Sequence, residues 1–466
     1  MKYWVGLVFL ITFSCGRKSE VINKNDPSVI SAWITDGDQS NLLKKQILQT
    51  NDEPNNVPTI VIDTSSRYQT VDGFGFTLTG GSAQLINNLG QQIKLNLLRE
   101  LFSTDENGIS ISYLRLSIGA SDLDDHVFSY DDVDRGLTDV DLDHFSIKPD
   151  YHYLIPILKE ILKINPDIKI MATPWSAPVW MKSNLNSIGG SLLPKFYNTY
   201  AHYLVKYIQA MDLEGIKIDA ITIQNEPQHG GNNPSMLMSA EEQNFFIKNN
   251  LALLFIERKI KTKIIIWDHN ADNPDYPISI LNDADARKYI DGTAFHLYNG
   301  SITALSKVKE VHPDKNLYFT EQWTGAKGSF SGDFVWHTKN IIIGSMQNWS
   351  KTALEWNLAN DNDFGPHTPG GCTECKGALT IDGEQITRNV SYYIIAQISK
   401  FVPSGSVRIK SNAVADLPCV AFLTPQDRRV LIVLNETNEI KKFNIQIGKM
   451  KSTAVLNKSS AGTFVW

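Results

Sequence analysis

From residue 71 onward the chain repeats one pattern, in which an apolar β-type run ends in polar or aromatic residues and a helix-length segment follows. Eight such runs occur, at 71–80, 111–119, 168–175, 218–226, 262–270, 292–298, 316–321 and 352–358. Between them, segments such as 150–165 and 195–211 carry apolar residues at helical spacing. Eight alternations of strand and helix predict a (β/α)₈ TIM barrel.

Short alternating segments flank this region on both sides. They occur at 31–36 and 59–65 before it, and at 406–410, near residue 420, at 429–435 and at 443–448 after it. Such strands suit a β-sandwich. Because they come from both ends of the chain, we expect one side domain made of residues 29–70 and 399–466, beside a catalytic barrel over 71–398.

The N-terminus has the form of an export signal. A lysine and an apolar run, residues 3–13, precede Cys15, and the run is too short to span a bilayer as a helix. The placement of Cys15 resembles a bacterial lipobox, although Thr12 replaces the usual Leu-like residue. We expect a signal over residues 1–15, lipidation of Cys15, a flexible tether over 16–28, and anchorage to either face of a bacterial outer membrane. Simple cleavage and secretion is the alternative.

Composition narrows the classes of partner. With 42% hydrophobic and 20% charged residues among 466, the chain is typical of a globular protein with a large core. A net charge of −6 without a long Lys/Arg run argues against nucleic acid, and membrane contact is expected only through the lipid anchor. Ten Trp, 16 Tyr and 20 Phe suit stacking on sugar rings, although most aromatic residues belong to cores.

The cysteines allow two interpretations. Cys372 and Cys375 are close enough in sequence for a local disulfide in an oxidising compartment. A zinc site is the alternative, but it needs about four ligands and there is no second cysteine pair. Cys419 is interpreted as a lone buried thiol.

The residues that end the apolar runs are the candidates for chemistry, because the active site of such a barrel lies at the carboxyl ends of its strands. In chain order they are Arg115, Trp175, Asn225 with Glu226, Asp268 with His269, His296 with Tyr298, Glu321 with Trp323, and Trp356 with Asn357. A lone carboxylate there often caps the next helix. Asp268 and His269 are interpreted as loop residues or as residues behind the site.

Glu226 and Glu321 end the fourth and seventh runs, on facing sides of an eight-strand ring. Cleavage of a glycosidic bond needs a carboxylic acid that protonates the leaving oxygen and a carboxylate that acts on the anomeric carbon. A spacing of about 5–5.5 Å favours retention and about 6.5–9.5 Å favours inversion. The sequence permits either spacing.

From about residue 28 to the C-terminus the chain resembles family 30 of the glycoside hydrolases, which includes glucosylceramidase, β-xylosidases and β-1,6-glucanases. The resemblance rests on ordered blocks at 72–83, 114–132, 173–182, 222–227 (TIQNEP), 319–323 (FTEQW), 355–361 and 365–382. The family architecture is a (β/α)₈ barrel with a β-sandwich built from both termini, as expected above.

The resemblance implies roles for individual residues. Glu226 matches the general acid/base, Glu321 the nucleophile, and Asn225 the residue that holds the sugar 2-hydroxyl. The other matches are Arg115, Asp122, Trp175 and Trp356 on the floor and walls of the sugar subsite, and His296 and Tyr298 beside the nucleophile. Asp122 is expected to accept hydrogen bonds from sugar hydroxyls.

The implied mechanism starts with Glu226 protonated, its pKa raised by burial and by the charge of Glu321. No metal or cofactor is required. Asn360 departs from a Leu-like family position in a loop expected to border the leaving-group side. Trp175 and Trp356 as core aromatics, and Arg115 as a structural ion-pair partner, remain alternatives.

The leading hypothesis is a retaining β-glucosidase or glucanase that acts on β-1,6-linked glucose in oligosaccharides, β-1,6-glucan or laminarin branches. Glucosylceramide and β-xyloside hydrolysis are the enzymatic alternatives. A non-catalytic glycan-binding lipoprotein is the alternative from another class, and the presence of both glutamates argues against it.

Overall fold

The computed structural model describes residues 1–2, 29–50 and 55–466. Nearly all of the expected signal segment, the lipidation candidate Cys15 and the expected tether lie outside the described residues. No helix within the described ranges is both long and apolar enough to cross a membrane.

Eight parallel strands close into a barrel. Three strands come first along the chain: β1 (Val29–Asp36), β2 (Lys44–Gln49) and β3 (Thr59–Thr70). The barrel strands are β4 (Gly73–Thr77), β5 (Tyr113–Ile118), β6 (Lys169–Pro174), β7 (Ala220–Thr222), β8 (Lys263–Ala271), β9 (Ile290–Gly300), β10 (Asn316–Glu321) and, after the two-residue strand β11 (Thr324–Gly325), β12 (Ser350–Asn357). The ring order β10-β12-β4-β5-β6-β7-β8-β9 confirms the predicted barrel.

Helices cover the outside of the barrel. They are α1 (Gly80–Asn87), α2 (Gln91–Phe102), α3 (Leu154–Ile164), α4 (Tyr197–Leu213), α5 (Ala240–Phe246), α6 (Ala252–Glu257), α7 (Asp275–Asn282), α8 (Ala284–Arg287), α9 (Ala304–Val311), α10 (Phe330–His337), α11 (Ser345–Gln347) and α12 (Val390–Ser399). π-Helical turns at Ile247–Leu251 and Thr338–Gly344 join α5 to α6 and α10 to α11. In α3 the apolar positions Leu154, Leu158 and Ile161 are buried at intervals of three and four, as the helical spacing predicted.

The remaining strands form two small sheets and complete the side domain. Short strands β13 (Ala359–Asn360), β14 (Cys375–Lys376), β15 (Leu379–Asp382) and β16 (Gln385–Arg388) lie near the barrel mouth, followed by β17 (Val407–Ser411), β18 (Cys419–Leu423), β19 (Arg429–Asn435), β20 (Lys441–Ile447), β21 (Met450–Leu456) and β22 (Ser460–Val465). The strand order β2-β1-β22-β19-β18-β17-β3-β20-β21 interleaves both ends of the chain. The prediction of a β-sandwich made from both termini is therefore confirmed.

Three strands of this domain were not predicted, namely β2, β21 and β22. β2 is almost wholly exposed, so it has no buried face to produce alternation in the sequence. β22 is buried throughout but begins Ser-Ala-Gly, and such small residues give little apolar signal.

β19 joins the two domains because it is buried on both faces. Val430, Ile432 and Leu434 belong to the large core between the barrel strands and the surrounding helices, whereas Leu431 and Val433 belong to the core of the sandwich. Alternate side chains of a strand point to opposite faces, so a strand between two cores is apolar throughout. The sandwich is therefore packed into the barrel rather than tethered to it.

We expect Ile432→Ala to lower the free energy of unfolding by about 2–5 kcal/mol, because the deletion leaves a cavity between the two domains. Ile432 is fully buried, whereas Ile440 is 68% exposed. Ile440→Ala makes the same chemical change in solvent and should shift the urea midpoint little. Equal midpoints for the two variants in urea unfolding would contradict the shared core.

Candidate active site

Arg115 lies at the centre of the barrel mouth with no exposed surface. It is positioned by β5, in which Leu114 and Leu116 face the outer core and Tyr113 faces the barrel interior. Because successive side chains of a strand point to opposite faces, Arg115 points inward as Tyr113 does and lies above it. A guanidinium without solvent needs anionic or acceptor partners, which the neighbouring strands provide.

Four side chains accept hydrogen bonds from the Arg115 guanidinium, and Nε donates to Oγ1 of Thr173 at 3.3 Å. Nη1 donates to Oε2 of Glu321 at 2.5 Å, and Nη2 donates to Oδ1 of Asn225 at 2.7 Å and to Oδ2 of Asp268 at 2.9 Å. These partners come from different strands of the barrel or from the segments that follow them. Arg115 is thus an ion-pair partner of two carboxylates at the barrel mouth, Asp268 and Glu321.

Two tryptophans cover the guanidinium. The Trp175 and Trp356 ring centroids lie 4.7 Å and 5.9 Å from Cζ of Arg115 and 5.4 Å from each other. Both rings are buried, yet both line the cavity above. They therefore combine the two roles that the sequence left open, as packed aromatics and as walls of the candidate site.

Asp268 lies in β8, directly behind the residues that line the cavity, so of its two sequence interpretations the loop position is wrong and the position behind the site holds. It lies in β8 without exposed surface, binds Arg115, and accepts through Oδ1 from Nε2 of His296 at 3.2 Å. Burial raises its pKa, but the Arg115 charge and the His296 hydrogen bond outweigh burial and lower the pKa well below its usual range. In the sequence, Asp268 follows an apolar run as Glu226 does, and this position was the signal that could have marked it as part of the site.

Glu226 lies beyond its strand rather than at its end. β7 stops at Thr222, and Glu226 adopts a left-handed backbone with φ of 43°. Its N–H donates to the carbonyl of Asp268 at 3.0 Å. Asp268 is also left-handed, with φ of 62°. Such conformations cost of order 1–3 kcal/mol in non-glycine residues, and the surrounding structure holds them here.

One imidazole lies between the two glutamates. Nδ1 of His296 is 3.1 Å from Oε1 of Glu226 and 3.6 Å from Oε1 of Glu321. These two oxygens are therefore less than about 7 Å apart, inside the span of carboxylate pairs that act on one sugar. The hydroxyl of Tyr298 donates to Oε1 of Glu321 at 2.9 Å. The structure thus brings together both glutamates and both residues expected beside Glu321.

The charge state of Glu226 differs from expectation. Burial raises its pKa, but its interactions with His269 and His296 outweigh burial and lower it. Burial lowers the pKa of His296, whereas the charge of Glu321 and the hydrogen bonds to Asp268 and Glu226 raise it to about 9. The expected raised pKa of Glu226 is therefore wrong for this pocket, because the imidazoles were not part of that argument.

Asp122 is a third carboxyl group that lines the cavity. Burial, followed by the negative charge of Glu321, raises its pKa to about 7, against hydrogen bonds that include the N–H of Cys372. Below neutral pH its carboxyl group is therefore largely protonated and can donate a hydrogen bond as well as accept one. Its expected role as an acceptor alone is too narrow.

The cavity has a volume of about 330 Å³. Its walls include Asp122, Trp175, Asn225, Glu226, Tyr298, Glu321 and Trp356 from the predicted set. Trp323 and His269, which were named at the ends of their runs without an assigned role, also line it, as do Cys372 and Cys375 of the expected disulfide and the unpredicted residues His229, Asn232 and Asn270. His269 was interpreted as a loop or rear residue, but it lies in β8 at the cavity wall. His229 and Asn232 follow Glu226 in a loop, where no periodicity marks them.

The structure distinguishes between the two interpretations of the cysteines. Cys372 and Cys375 form a disulfide, so the local-bridge interpretation holds over the zinc site, and Cys419 is a buried free thiol.

Asn360 does not line the cavity. Its side chain accepts from the N–H of Gly377 in the short sheet behind the mouth, so its expected influence on the leaving-group side is not supported.

Comparison with known proteins places this geometry in a family. Residues 71–402 match the glycosyl hydrolase family 30 TIM-barrel domain, and residues 405–464 match the glycosyl hydrolase family 30 β-sandwich domain. The chain belongs to glycosyl hydrolase family 30. It is therefore a glycosidase, and the resemblance inferred from the sequence blocks is confirmed.

Relatives of this family 30 enzyme include an endo-1,6-β-D-glucanase of Aspergillus fumigatus, 33% identical over 80% of each chain. The lysosomal acid glucosylceramidase of Mus musculus is 28% identical over 82% of this chain and 78% of its own. A solved endo-β1,6-glucanase is 33% identical, with a TM-score of 0.88 over 94% of this chain and 99% of its own.

We expect the stability of the enzyme to fall as the pH rises from about 4 to 7. Burial raises the pKa of Asp124 to about 6 and that of Asp150 to about 7. The pKa of an Asp in the unfolded chain is about 3.9, so as the pH rises the unfolded chain releases these protons before the folded protein does. The stability that the protonated carboxyl groups contribute is therefore lost as the pH rises through the folded pKa values. The apparent Tm should therefore be higher at pH 5 than at pH 8, as measured by differential scanning fluorimetry.

Asp150→Asn tests the cause, because it removes the carboxyl group whose charging opposes folding. Between pH 5 and 8, the Tm of the variant should fall less than the Tm of the wild type. Asp167→Asn makes the same change at an exposed position and should follow the wild type. A pH slope that Asp150→Asn leaves unchanged would contradict the assignment.

Proposed function

We propose that this enzyme hydrolyses β-1,6-linked glucans within the chain, with retention of anomeric configuration. The observation that carries the proposal is the pair Glu226 and Glu321, bridged by His296 at the base of a tryptophan-walled cavity. Their nearer oxygens are less than about 7 Å apart, a limit that includes the roughly 5–5.5 Å of retaining glycosidases and excludes most of the roughly 6.5–9.5 Å range of inverting ones. The endo-1,6-glucanase relatives support the linkage and the endo mode.

Glu321 is suited to the role of nucleophile. Arg115 holds Oε2 and Tyr298 holds Oε1, so both oxygens are oriented before substrate binds. Attack of Glu321 on the anomeric carbon gives a glycosyl-enzyme while the leaving oxygen takes a proton.

Glu226 is suited to the role of acid and then base. Its Oε1 lies 3.1 Å from Nδ1 of His296, so the pair can hold the proton that the leaving oxygen requires. After departure of the leaving group, Glu226 is a carboxylate and activates the water that hydrolyses the glycosyl-enzyme. Asn225 has Oδ1 bound to Arg115, which directs its amide toward a sugar hydroxyl.

We expect Glu226→Gln to lower kcat/KM on β-1,6-gluco-oligosaccharides by roughly 10²–10⁴-fold, since it removes the proton donor, and Glu321→Gln to abolish turnover. The measurement is product analysis by chromatography, with proton NMR to record the anomer released first. Glu241→Gln, the same change on the exposed surface, serves as the control and should retain activity.

The product pattern separates the alternatives. Release of a ladder of oligosaccharides with β configuration supports endo action with retention, and release of α-configured product would contradict the mechanism. Laminarin, an aryl β-xyloside and glucosylceramide are assayed in parallel. Cleavage of one of these alone would reassign the substrate, whereas binding of β-1,6-oligosaccharide without any cleavage would favour the non-catalytic glycan-binding alternative.

We also propose that the enzyme is exported and held at a bacterial outer membrane through a lipid on Cys15. The support is the apolar run that precedes this cysteine. Cys15→Ala should move the enzyme from the membrane fraction to the soluble fraction and prevent incorporation of labelled palmitate. Cys419→Ala is the matched cysteine control. Soluble wild-type enzyme without label would support simple secretion instead.

A further inference from the structure

Three side chains converge at one corner of the cavity: Glu226, His269 and His296. Each offers a ligand atom, and these atoms lie within 4.8 Å of one another. Nδ1 of His269 and Nδ1 of His296 lie 3.6 Å and 3.1 Å from Oε1 of Glu226. A tetrahedral zinc ion bound at about 2.0–2.1 Å places neighbouring ligand atoms about 3.3 Å apart. The two spacings from Oε1 of Glu226 lie on either side of that value.

His269 has a ring nitrogen that the glycosidase mechanism does not use. Within the described part of the chain, its Nδ1 has no hydrogen-bond partner, although its side chain is only 9% exposed. A buried polar atom without a partner is unfavourable and calls for an unrecorded one. The nearest acceptor, Oε1 of Glu226, lies at 3.6 Å, so the nitrogen points to the same corner as the other two ligand atoms.

His296 is oriented as metal-bound histidines are. Its Nε2 contacts Oδ1 of Asp268 at 3.2 Å, which leaves Nδ1 facing Glu226. A carboxylate behind the histidine fixes the ring and increases the basicity of the free nitrogen. Asp268 is itself fixed by Arg115 and by Thr320, whose hydroxyl donates to it at 2.7 Å.

The charge of the cavity favours a cation. Glu226 and Glu321 face the space, and Asp268 lies behind it. Arg115 is the balancing arginine beneath them, bound to two of these carboxylates. A divalent ion at the cavity corner would therefore gain from the surrounding carboxylates.

We propose that Glu226, His269 and His296 form a binding site for Zn²⁺, and that the ion reversibly inhibits the enzyme. Two histidines and one glutamate are a known three-ligand zinc set that leaves a fourth position open. Here that position faces the cavity in which the sugar binds. A zinc-bound Glu226 cannot transfer a proton to the leaving oxygen. Inhibition rests on the proposed role of Glu226, whereas zinc binding itself does not.

Isothermal titration calorimetry of the untagged mature enzyme with zinc chloride, in a buffer that does not chelate zinc, tests the site directly. We expect one ion per chain in the wild type. His269→Ala and Glu226→Gln should each weaken the affinity by at least roughly 10–100-fold. His126→Ala, which removes an exposed histidine elsewhere, should leave the affinity unchanged.

His269→Asn is a second variant, and thermal unfolding of each variant verifies that it is folded. Zinc affinity that both folded His269 variants retain would overturn the site, as would a wild type that binds no zinc below about 0.1 mM. Inhibition is then measured on β-1,6-gluco-oligosaccharide, where the inhibition constant should match the calorimetric Kd and EDTA should restore activity. Zinc binding in an enzyme that cleaves no glycan would support the metal site while refuting the proposed function.

Discussion

The active end of the barrel depends on one buried positive charge. Arg115 has no contact with solvent, so its guanidinium requires partners from the protein. These partners are Glu321, Asp268, Asn225 and Thr173. Because β5, β8 and β10 and the segment after β7 must all reach the same point, the Arg115 contacts fix the relative positions of side chains far apart in sequence. His296 is positioned through Asp268, and Glu226 through His296 and the backbone of Asp268.

The barrel could be read from the sequence because buried parallel strands leave uninterrupted apolar runs. All eight runs correspond to barrel strands, and the two glutamates stand out because each follows such a run. β2 was missed because an exposed edge strand has no such signal, and the end of β7 was misplaced. The apolar residues of this run continue to Ile223, but the strand pairing ends at Thr222. The chain then turns so that the N–H of Glu226 reaches the backbone of β8.

The electrostatics of the site could not be obtained in the same way. The pKa of Glu226 depends on two imidazoles from β8 and β9, and their distances are set by the closure of the barrel. The importance of Asp268 was similarly hidden, since its sequence position suits a helix cap as well as a buried counter-ion. Sequence reasoning identifies which residue types reach the mouth. Which of them touch is decided by the register between strands and by the left-handed turns at Glu226 and Asp268.

The double-faced burial of β19 has a consequence for how this architecture can change over time. A strand that serves two cores at once cannot drift toward polar residues on either side, so the junction between sandwich and barrel is constrained from both directions. A barrel released from its sandwich would present an uncovered apolar surface around α12 and invite self-association. Diversification is therefore easiest in the loops of the mouth, where the substrate is selected and no second core depends on the outcome.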